Sequence, residues 1–159
     1  MKEQHQDRKV PASSARCSKP AIRSATAAIE PLEGRALLAS FDLSGGLLTV
    51  TLDNGRSNSL YIRADSTNIS YLSTLNGADT TYAKSSVQSI RVIGGDGSDV
   101  IDISRSVTVP TTLQGGNGND TMDGGGATDK IWGGTGFDTL RGHDGDDYLY
   151  GRTDRDFLY

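Results

Sequence analysis

The sequence predicts an all-β fold, a solenoid of short parallel strands built from nonapeptide repeats. Three observations predict it. From Gly115 to Tyr159 a nine-residue repeat runs without a slip in register, and such internal repeats are typical of stacked architectures. Gly makes up 20 of the 159 residues, and 15 of these lie between residues 94 and 159. Hydrophobic residues are only 35% of the chain, which is too little for a conventional core.

Each repeat unit has three defined slots. The first slot is Gly, which permits tight turns and close backbone approach, at Gly115, Gly124, Gly133, Gly142 and Gly151. The sixth slot is Asp, at Asp120, Asp129, Asp138, Asp147 and Asp156. A further unit, residues 94–102, has Asp99 in slot six, but it begins 21 residues before Gly115 instead of 18. Three extra residues are therefore expected between the two units, and Asp99 is expected to act only locally.

The eighth slot of each unit is apolar and defines the core. One apolar residue between mostly polar neighbours predicts a short strand at the end of each unit. Two units form one coil, so residues 18 positions apart stack on one another. The expected columns are Met122, Leu140 and Leu158 on one sheet, and Ile131 and Leu149 on the facing sheet.

The stacked aspartates predict a calcium site. Asp120, Asp138 and Asp156 would form one column, and Asp129 and Asp147 another. Without a cation these carboxylates repel, whereas Asp and turn carbonyl oxygens are the hard ligands that Ca²⁺ prefers. We therefore expect Ca²⁺ to bridge successive coils and the repeat segment to fold only when it binds.

Three units, GGNGNDTMD, GGTGFDTLR and GGDGSDVID, resemble the RTX, or haemolysin-type, calcium-binding repeat Gly-Gly-x-Gly-x-Asp-x-U-x, in which U is apolar. The resemblance implies a parallel β-roll over residues 94–159, with Ca²⁺ held between turns on each edge. The metal-site residues that it implies are Asp99, Gly115, Gly116, Asn117, Gly118, Asp120, Gly124, Gly125, Asp129, Gly133, Gly134, Gly136, Asp138, Gly142, Asp147 and Asp156. Ala127, His143, Arg152 and Asp154 depart from the pattern, and weaker binding is expected in the turns after Gly142 and Gly151.

The N-terminal residues 1–40 read as a disordered basic leader. They have no apolar run of the kind that a standard secretory signal requires. Residues 32–38, LEGRALL, resemble a Leu-Glu-Pro-Arg-x-Leu-Leu type motif found near the N-terminus of many large bacterial surface or exported proteins, with Gly34 in place of the usual Pro. This resemblance implies export by a non-standard route.

Residues 41–93 read as a small β region. Leu48, Val50 and Leu52 alternate with polar residues, and an Asp-Asn-Gly turn at 53–55 precedes a second alternating run at 60–63. Asn76-Gly77 indicates a hairpin turn. We expect this region to lead into the roll and cap its N-terminal edge, which would otherwise be open to pairing.

Composition limits the function. No Ser/His/Asp or Cys/His set, HExxH, GxSxG or phosphate loop is present, and no apolar run could span a membrane. The acidic repeat segment disfavours nucleic acid. The preferred function is a non-catalytic, calcium-binding structural or adhesive module, extracellular or at the cell surface. The alternatives are the tail of an exported protease or lipase, and a sugar-binding module using Trp132 and Tyr150. The chain stops at the last slot of a repeat, which suggests a fragment or end-to-end self-association.

Overall fold

The computed structural model describes residues 39–73 and 80–159, and nearly all of them lie in strands or tight turns. Residues 1–38 of the predicted leader, which include the LEGRALL motif, and the Asn76-Gly77 turn lie outside the described residues, whereas the last two leader residues, Ala39 and Ser40, belong to the first strand. A short 3₁₀ helix spans Lys84–Ser86. The strands are β1 Ala39–Ser44, β2 Leu47–Leu52, β3 Ser59–Ala64, β4 Asn68–Ser73, β5 Thr80–Ala83, β6 Ser89–Asp96, β7 Val100–Ile103, β8 Thr111–Asn117, β9 Thr121–Asp123, β10 Lys130–Thr135, β11 Thr139–Arg141, β12 Tyr148–Arg152 and β13 Phe157–Leu158.

Two facing sheets form a parallel β-solenoid. The first sheet has the order β1-β2-β6-β8-β10-β12, and the second has the order β13-β11-β9-β7-β3-β4-β5. Each strand from β6 onward pairs in parallel with the strand two positions further along the chain. The chain therefore alternates between the two sheets, and each coil adds one strand to each sheet. The predicted all-β solenoid is confirmed.

Two apolar columns fill the space between the sheets. The predicted stacking of residues 18 positions apart is confirmed, because Met122 pairs with Leu140 and Ile131 with Leu149. Both columns continue into earlier strands. The columns are Val50, Val92, Leu113, Ile131 and Leu149 on the first sheet, and Leu60, Ile101, Met122, Leu140 and Leu158 on the second. Each of the strands β8 to β11 adds one apolar side chain to the buried core, whereas β2, β3, β6 and β7 add two or three each.

The three extra residues of the sequence lie in the loop at 104–110. Ile101 pairs with Met122 at the end of one rung, and Thr112 pairs with Lys130 at the start of the next. The loop therefore absorbs the insertion, and strands on both sides keep their register. Asp99 is stacked on Asp120 in spite of the 21-residue separation, since its backbone N–H donates to Asp120 Oδ1 at 2.8 Å. Asp99 therefore belongs to the same column as Asp120, although its unit is out of step with the nine-residue repeat in the sequence.

The region before the repeats contributes strands to both sheets. β2 pairs in parallel with β6, and β3 with β7. Both sheets therefore continue from the region before residue 93 into the repeats without a break. Only β1, which pairs antiparallel with β2, and the β4–β5 hairpin beside β3 depart from the parallel arrangement. The division of the chain at residues 40 and 93 stays a prediction. Among the described residues, no helix is long and apolar enough to cross a membrane.

Candidate metal centre

The turns that connect the sheets stack along two edges of the solenoid. The first edge contains the turns 94–99, 115–120, 133–138 and 151–156. The second edge contains the loop 104–110 and the turns 124–129 and 142–147. In every unit, the slot-six Asp comes at the end of its turn, immediately before the next strand. Side chains from successive coils are thereby aligned one above another.

A ladder of backbone-to-carboxylate hydrogen bonds runs down the first edge. The N–H of Asp99 donates to Asp120 Oδ1 at 2.8 Å, and that of Asp120 donates to Asp138 Oδ1 at 2.9 Å. The N–H of Asp138 donates to Asp156 Oδ1 at 3.0 Å. The carboxylates of Asp99, Asp120 and Asp138 are buried. One oxygen of each carboxylate is thus fixed by the neighbouring coil.

The other oxygen of each of these carboxylates is unsatisfied. Oδ2 of Asp99, Asp120 and Asp138 is buried and has no hydrogen-bond partner among the described residues. Buried polar atoms are normally paired, so three equivalent orphans in one column require an explanation. A cation is the natural partner of an ionised oxygen that no N–H reaches.

The slot-one glycines provide room for these oxygens. A Cβ on Gly115 would collide with Asp120 Oδ2 and lie 2.7 Å from the carbonyl oxygen of Gly133. A Cβ on Gly133 would likewise meet Asp138 Oδ2 and lie 2.8 Å from the carbonyl oxygen of Gly151. Carboxylate and carbonyl oxygens of successive coils therefore converge where any side chain would stand. This cradle and its donor set fit Ca²⁺.

Burial controls the protonation of the column. It raises the pKa of Asp120 to about 6, and the charges of Asp138 and Asp99 add to the rise, while the hydrogen bond from the Asp99 N–H opposes it. Burial also raises the pKa of Asp99 and of Asp138, and the charges of Asp156 and Asp154 add to the rise at Asp138. An ionised column without a cation is therefore a source of instability.

Left-handed backbone shapes the first-edge turns at slots two and four. Gly116, Gly118, Gly134 and Gly136 all have φ between 115° and 130°. In the last unit Arg152 and Asp154 adopt the same region, with φ of 81° and 76°. The turn after Gly151 therefore keeps the backbone of the others, although two of its glycines are replaced.

The second edge differs at one of its turns. Residues 124–129 contain no left-handed residue, and Ala127 stands in slot four. Here the N–H of Gly125 donates to Asp129 Oδ2 at 2.6 Å, while the N–H of Thr111 donates to Oδ1 at 2.8 Å. Both oxygens of Asp129 are satisfied by the protein itself. The cradle of this turn is therefore closed by an N–H group, although a Cβ on Gly124 would still meet Asp129 Oδ2 at 2.6 Å.

The turn at 142–147 on the second edge keeps more of the repeat geometry than the turn at 124–129. His143 in slot two has a φ of 74°, and Asp147 Oδ1 accepts the N–H of Asp129 at 2.9 Å. A Cβ on Gly142 would collide with Asp147 Oδ2. His143 also lies beside Arg105, with Nδ1 3.0 Å from the guanidinium.

Asn58 extends the first-edge column and was not predicted. Its backbone N–H and its Nδ2 both donate to Asp99 Oδ1, at 2.8 and 2.9 Å. Asn58 thus occupies the slot-six position of an earlier coil. The sequence signal is weak but present, because DNGRSNSLY at 53–61 has Asn in slot six and Leu60 in slot eight.

The predicted site residues therefore fall into two groups. Those of the turns at 94–99, 115–120, 133–138 and 151–156 share the first edge. Gly124, Gly125, Asp129, Gly142 and Asp147 lie on the second. The side chain of Asn117 lies at the exposed rim, where it donates to Asp96 at 2.7 Å and accepts from Thr135 at 2.8 Å. Among residues 39–73 and 80–159, no group of three or more His, Cys, Asp or Glu side chains could hold a metal ion. Any Ca²⁺ must take most of its oxygens from main-chain carbonyls.

Parallel coils with a column of buried aspartates in glycine-rich turns define a metal-binding β-solenoid. Residues 112–131 and 123–158 match the family model of the RTX calcium-binding nonapeptide repeat (4 copies). The segment 112–158 is therefore an array of RTX repeats, and repeats of this family bind Ca²⁺. The unit at 94–102 lies outside the match but joins the same column. Neither the curated proteins nor the solved structures searched contain a match to this chain.

The raised pKa values predict an unusual pH dependence for the calcium-free protein. The folded-state pKa of Asp120 exceeds its unfolded value of 3.8, so the folded form binds more protons between pH 4 and 6. Stability is then fully present below about pH 4 and declines as the pH rises through about 6. The strand signal of calcium-depleted protein, followed by circular dichroism from pH 7 down to pH 4, measures this and should grow as the pH falls. A strand signal that shrinks over this range would contradict it.

Proposed function

We propose that this protein is an exported calcium-binding module whose roll folds when Ca²⁺ binds along the first edge. The observation that supports this proposal is a column of three buried carboxylate oxygens that have no hydrogen-bond partner among the described residues. They belong to Asp99, Asp120 and Asp138. Ca²⁺ takes six to eight oxygens and accepts carboxylates and carbonyls together. The matched repeats are a structural calcium-binding domain and carry no catalytic function of their own.

Asp99, Asp120 and Asp138 would supply the charged ligands, with Asp156 at the end of the same column. The glycine-rich turns 94–99, 115–120, 133–138 and 151–156 would supply carbonyl oxygens. Asp129 is a weaker candidate, because the Gly125 N–H already occupies its second oxygen. On the second edge, the turn at 142–147 with Asp147 is the better candidate. The repeat pattern alone predicts a different order, with Asp138 first, Asp120 and Asp129 next, Asp147 after them, and Asp156 and Asp99 last.

An extracellular or cell-surface location suits this chemistry. Proteins with RTX repeats are typically secreted, and weak calcium sites fill in extracellular fluid, where Ca²⁺ is abundant. A thin core in the repeats, where β8 to β11 each bury one apolar side chain, also suits a segment that stays unfolded until it meets calcium. A structural or adhesive role at the surface requires no further chemistry from the chain.

Circular dichroism tests the coupling of folding to calcium. In calcium-depleted buffer at pH 7, strand signal should be small, and it should appear with a midpoint of roughly 10⁻⁴–10⁻³ M Ca²⁺. Mg²⁺ at the same concentration should substitute poorly, because it demands tighter octahedral geometry. A full β spectrum in excess chelator at pH 7 would show that the ions are not required for folding.

A further inference from the structure

A shallow groove lies on the outer face of the first sheet and borders the first edge, because glycines of the first-edge turns line it. Its volume is about 270 Å³, and its floor is the backbone of glycines in neighbouring strands, including Gly116 and Gly134. The side chains of Gln114, Trp132 and Arg152 stand around this floor. The fold makes the groove, because slot-two glycines from successive coils are adjacent in the sheet and leave a strip without side chains.

Trp132 presents one ring face to this groove. On its other side it stacks on Tyr150, with ring centroids 5.6 Å apart and planes inclined by 11°. Gln114 precedes Trp132 in the same row of the sheet, and its side chain is exposed. An aromatic face beside an amide is a surface that takes a flat ligand with one apolar side and polar edges.

The same face is cationic on an otherwise acidic protein. The outward positions of β6, β8, β10 and β12 carry Arg91, Lys130 and Arg152 and no acid. None of these three cations forms an ion pair with a residue of the described segments. Arg91 and Lys130 stand in one row, two strands and hence roughly 10 Å apart. The formal net charge of the whole chain is −4. This face can therefore attract an anion that the rest of the protein surface would repel.

Arg152 adopts a strained backbone conformation. It replaces the slot-two glycine found at Gly95, Gly116 and Gly134, and it keeps their left-handed conformation with a φ of 81°. This region is unfavourable for a residue that has a side chain. His143 and Asp154 also adopt it, and of the three residues only Arg152 lines the groove.

We propose that this face binds an acidic oligosaccharide, a chain of sugars that carry carboxylates. A pyranose ring has a C–H face for Trp132 and hydroxyls for Gln114, and uronate groups would pair with Arg152, Lys130 and Arg91. A peptide strand is disfavoured, because the floor's backbone groups already pair within the sheet and no edge is free there. Three cations are few for a nucleic acid, and Ile93 is the one aliphatic side chain among the residues that line the groove, too few to enter a lipid surface. The inference depends on the proposed function in one respect, because this face exists only when the roll is folded.

The single Trp of the chain makes the test direct. Hexagalacturonate, too short to gel, is titrated into the whole protein at saturating calcium, and Trp132 emission is recorded. Cellohexaose serves as the neutral probe. Arg91→Gln removes one cation of this face and lies in β6 before the first-edge turn begins. Arg63→Gln is the matched control, since it removes an exposed cation from β3 on the second sheet.

We expect a saturable change in Trp132 emission with hexagalacturonate and none with cellohexaose. Arg91→Gln should weaken binding on the order of tenfold, as expected for a lost charged contact, while its calcium-induced strand signal is retained. Arg63→Gln should bind like the parent. No emission change, equal binding of both probes, or unaltered binding by Arg91→Gln would each overturn the proposal. The strand signal recorded in parallel reports separately on the calcium-dependent folding.

Discussion

Asp120→Asn is expected to stabilise the calcium-free protein and to weaken its calcium binding, two effects of opposite sign. Burial raises the pKa of Asp120 to about 6 from 3.8. Keeping it ionised at pH 7 therefore destabilises the calcium-free fold. Asn removes this cost, and its Oδ1 can still accept the N–H of Asp99. In calcium-depleted buffer at pH 7 the variant should therefore show more strand signal by circular dichroism than the parent.

The same substitution removes a charged calcium ligand. Losing even an outer partner of a metal site costs roughly 10–100-fold in affinity, so loss of a direct ligand should reach on the order of 100-fold. Calorimetric titration with Ca²⁺ measures this. The stabilising effect of added calcium in urea unfolding should shrink in parallel.

Asp129→Asn is the matched control on the second edge. Both oxygens of Asp129 accept backbone N–H groups, and an Asn side chain would place an NH₂ against the Gly125 or the Thr111 donor. About 1–3 kcal/mol should be lost with and without calcium, with a smaller change in calcium affinity than for Asp120→Asn. If the two variants behave alike, the difference between the edges has no functional meaning.

Gly133→Ala is expected to have the second large effect. Its methyl group would collide with Asp138 Oδ2 and lie 2.8 Å from the carbonyl oxygen of Gly151. The backbone and a buried carboxylate must then move apart, which costs about 3 kcal/mol at the upper end of the usual overpacking range. Calcium affinity should fall as well, because the methyl occupies the cradle. Urea unfolding at saturating calcium and calorimetry give the two quantities.

Gly45→Ala separates this collision from the general cost of replacing a glycine. Gly45 has a φ of 57° and would place its Cβ in open space. Its replacement should cost about 1–2 kcal/mol through the backbone alone and leave calcium affinity unchanged. Equal losses of calcium affinity for the two alanine variants would count against the cradle at Gly133.

The sequence was sufficient to predict the stacked columns because the repeat fixes them locally. A residue in slot eight of one unit meets slot eight two units later, so Leu140 had to pair with Met122. The Trp132–Tyr150 stack and the position of Arg141 over the Tyr159 ring, 5.2 Å from its centroid, follow from the same spacing. Register within a regular solenoid needs no long-range information.

Features that depend on irregular turns could not be predicted in this way. The hydrogen bond from Gly125 to Asp129 arises from the backbone of one turn, which lies beneath the loop at 104–110. Asn58 and Asp99 are 41 residues apart because the β4–β5 hairpin and the 3₁₀ helix intervene. The repeat period is lost across such an insertion, and only the three-dimensional stacking of coils restores it.

A crystal structure at saturating calcium, with anomalous scattering to identify the ions, tests the central claim most directly. The account predicts cations along the first edge, within about 2.3–2.6 Å of Asp120 Oδ2 and Asp138 Oδ2, with the turn at 124–129 empty and its Gly125–Asp129 hydrogen bond intact. Ions bound at Asp129 while the oxygens of Asp120 and Asp138 remain without a metal would contradict it.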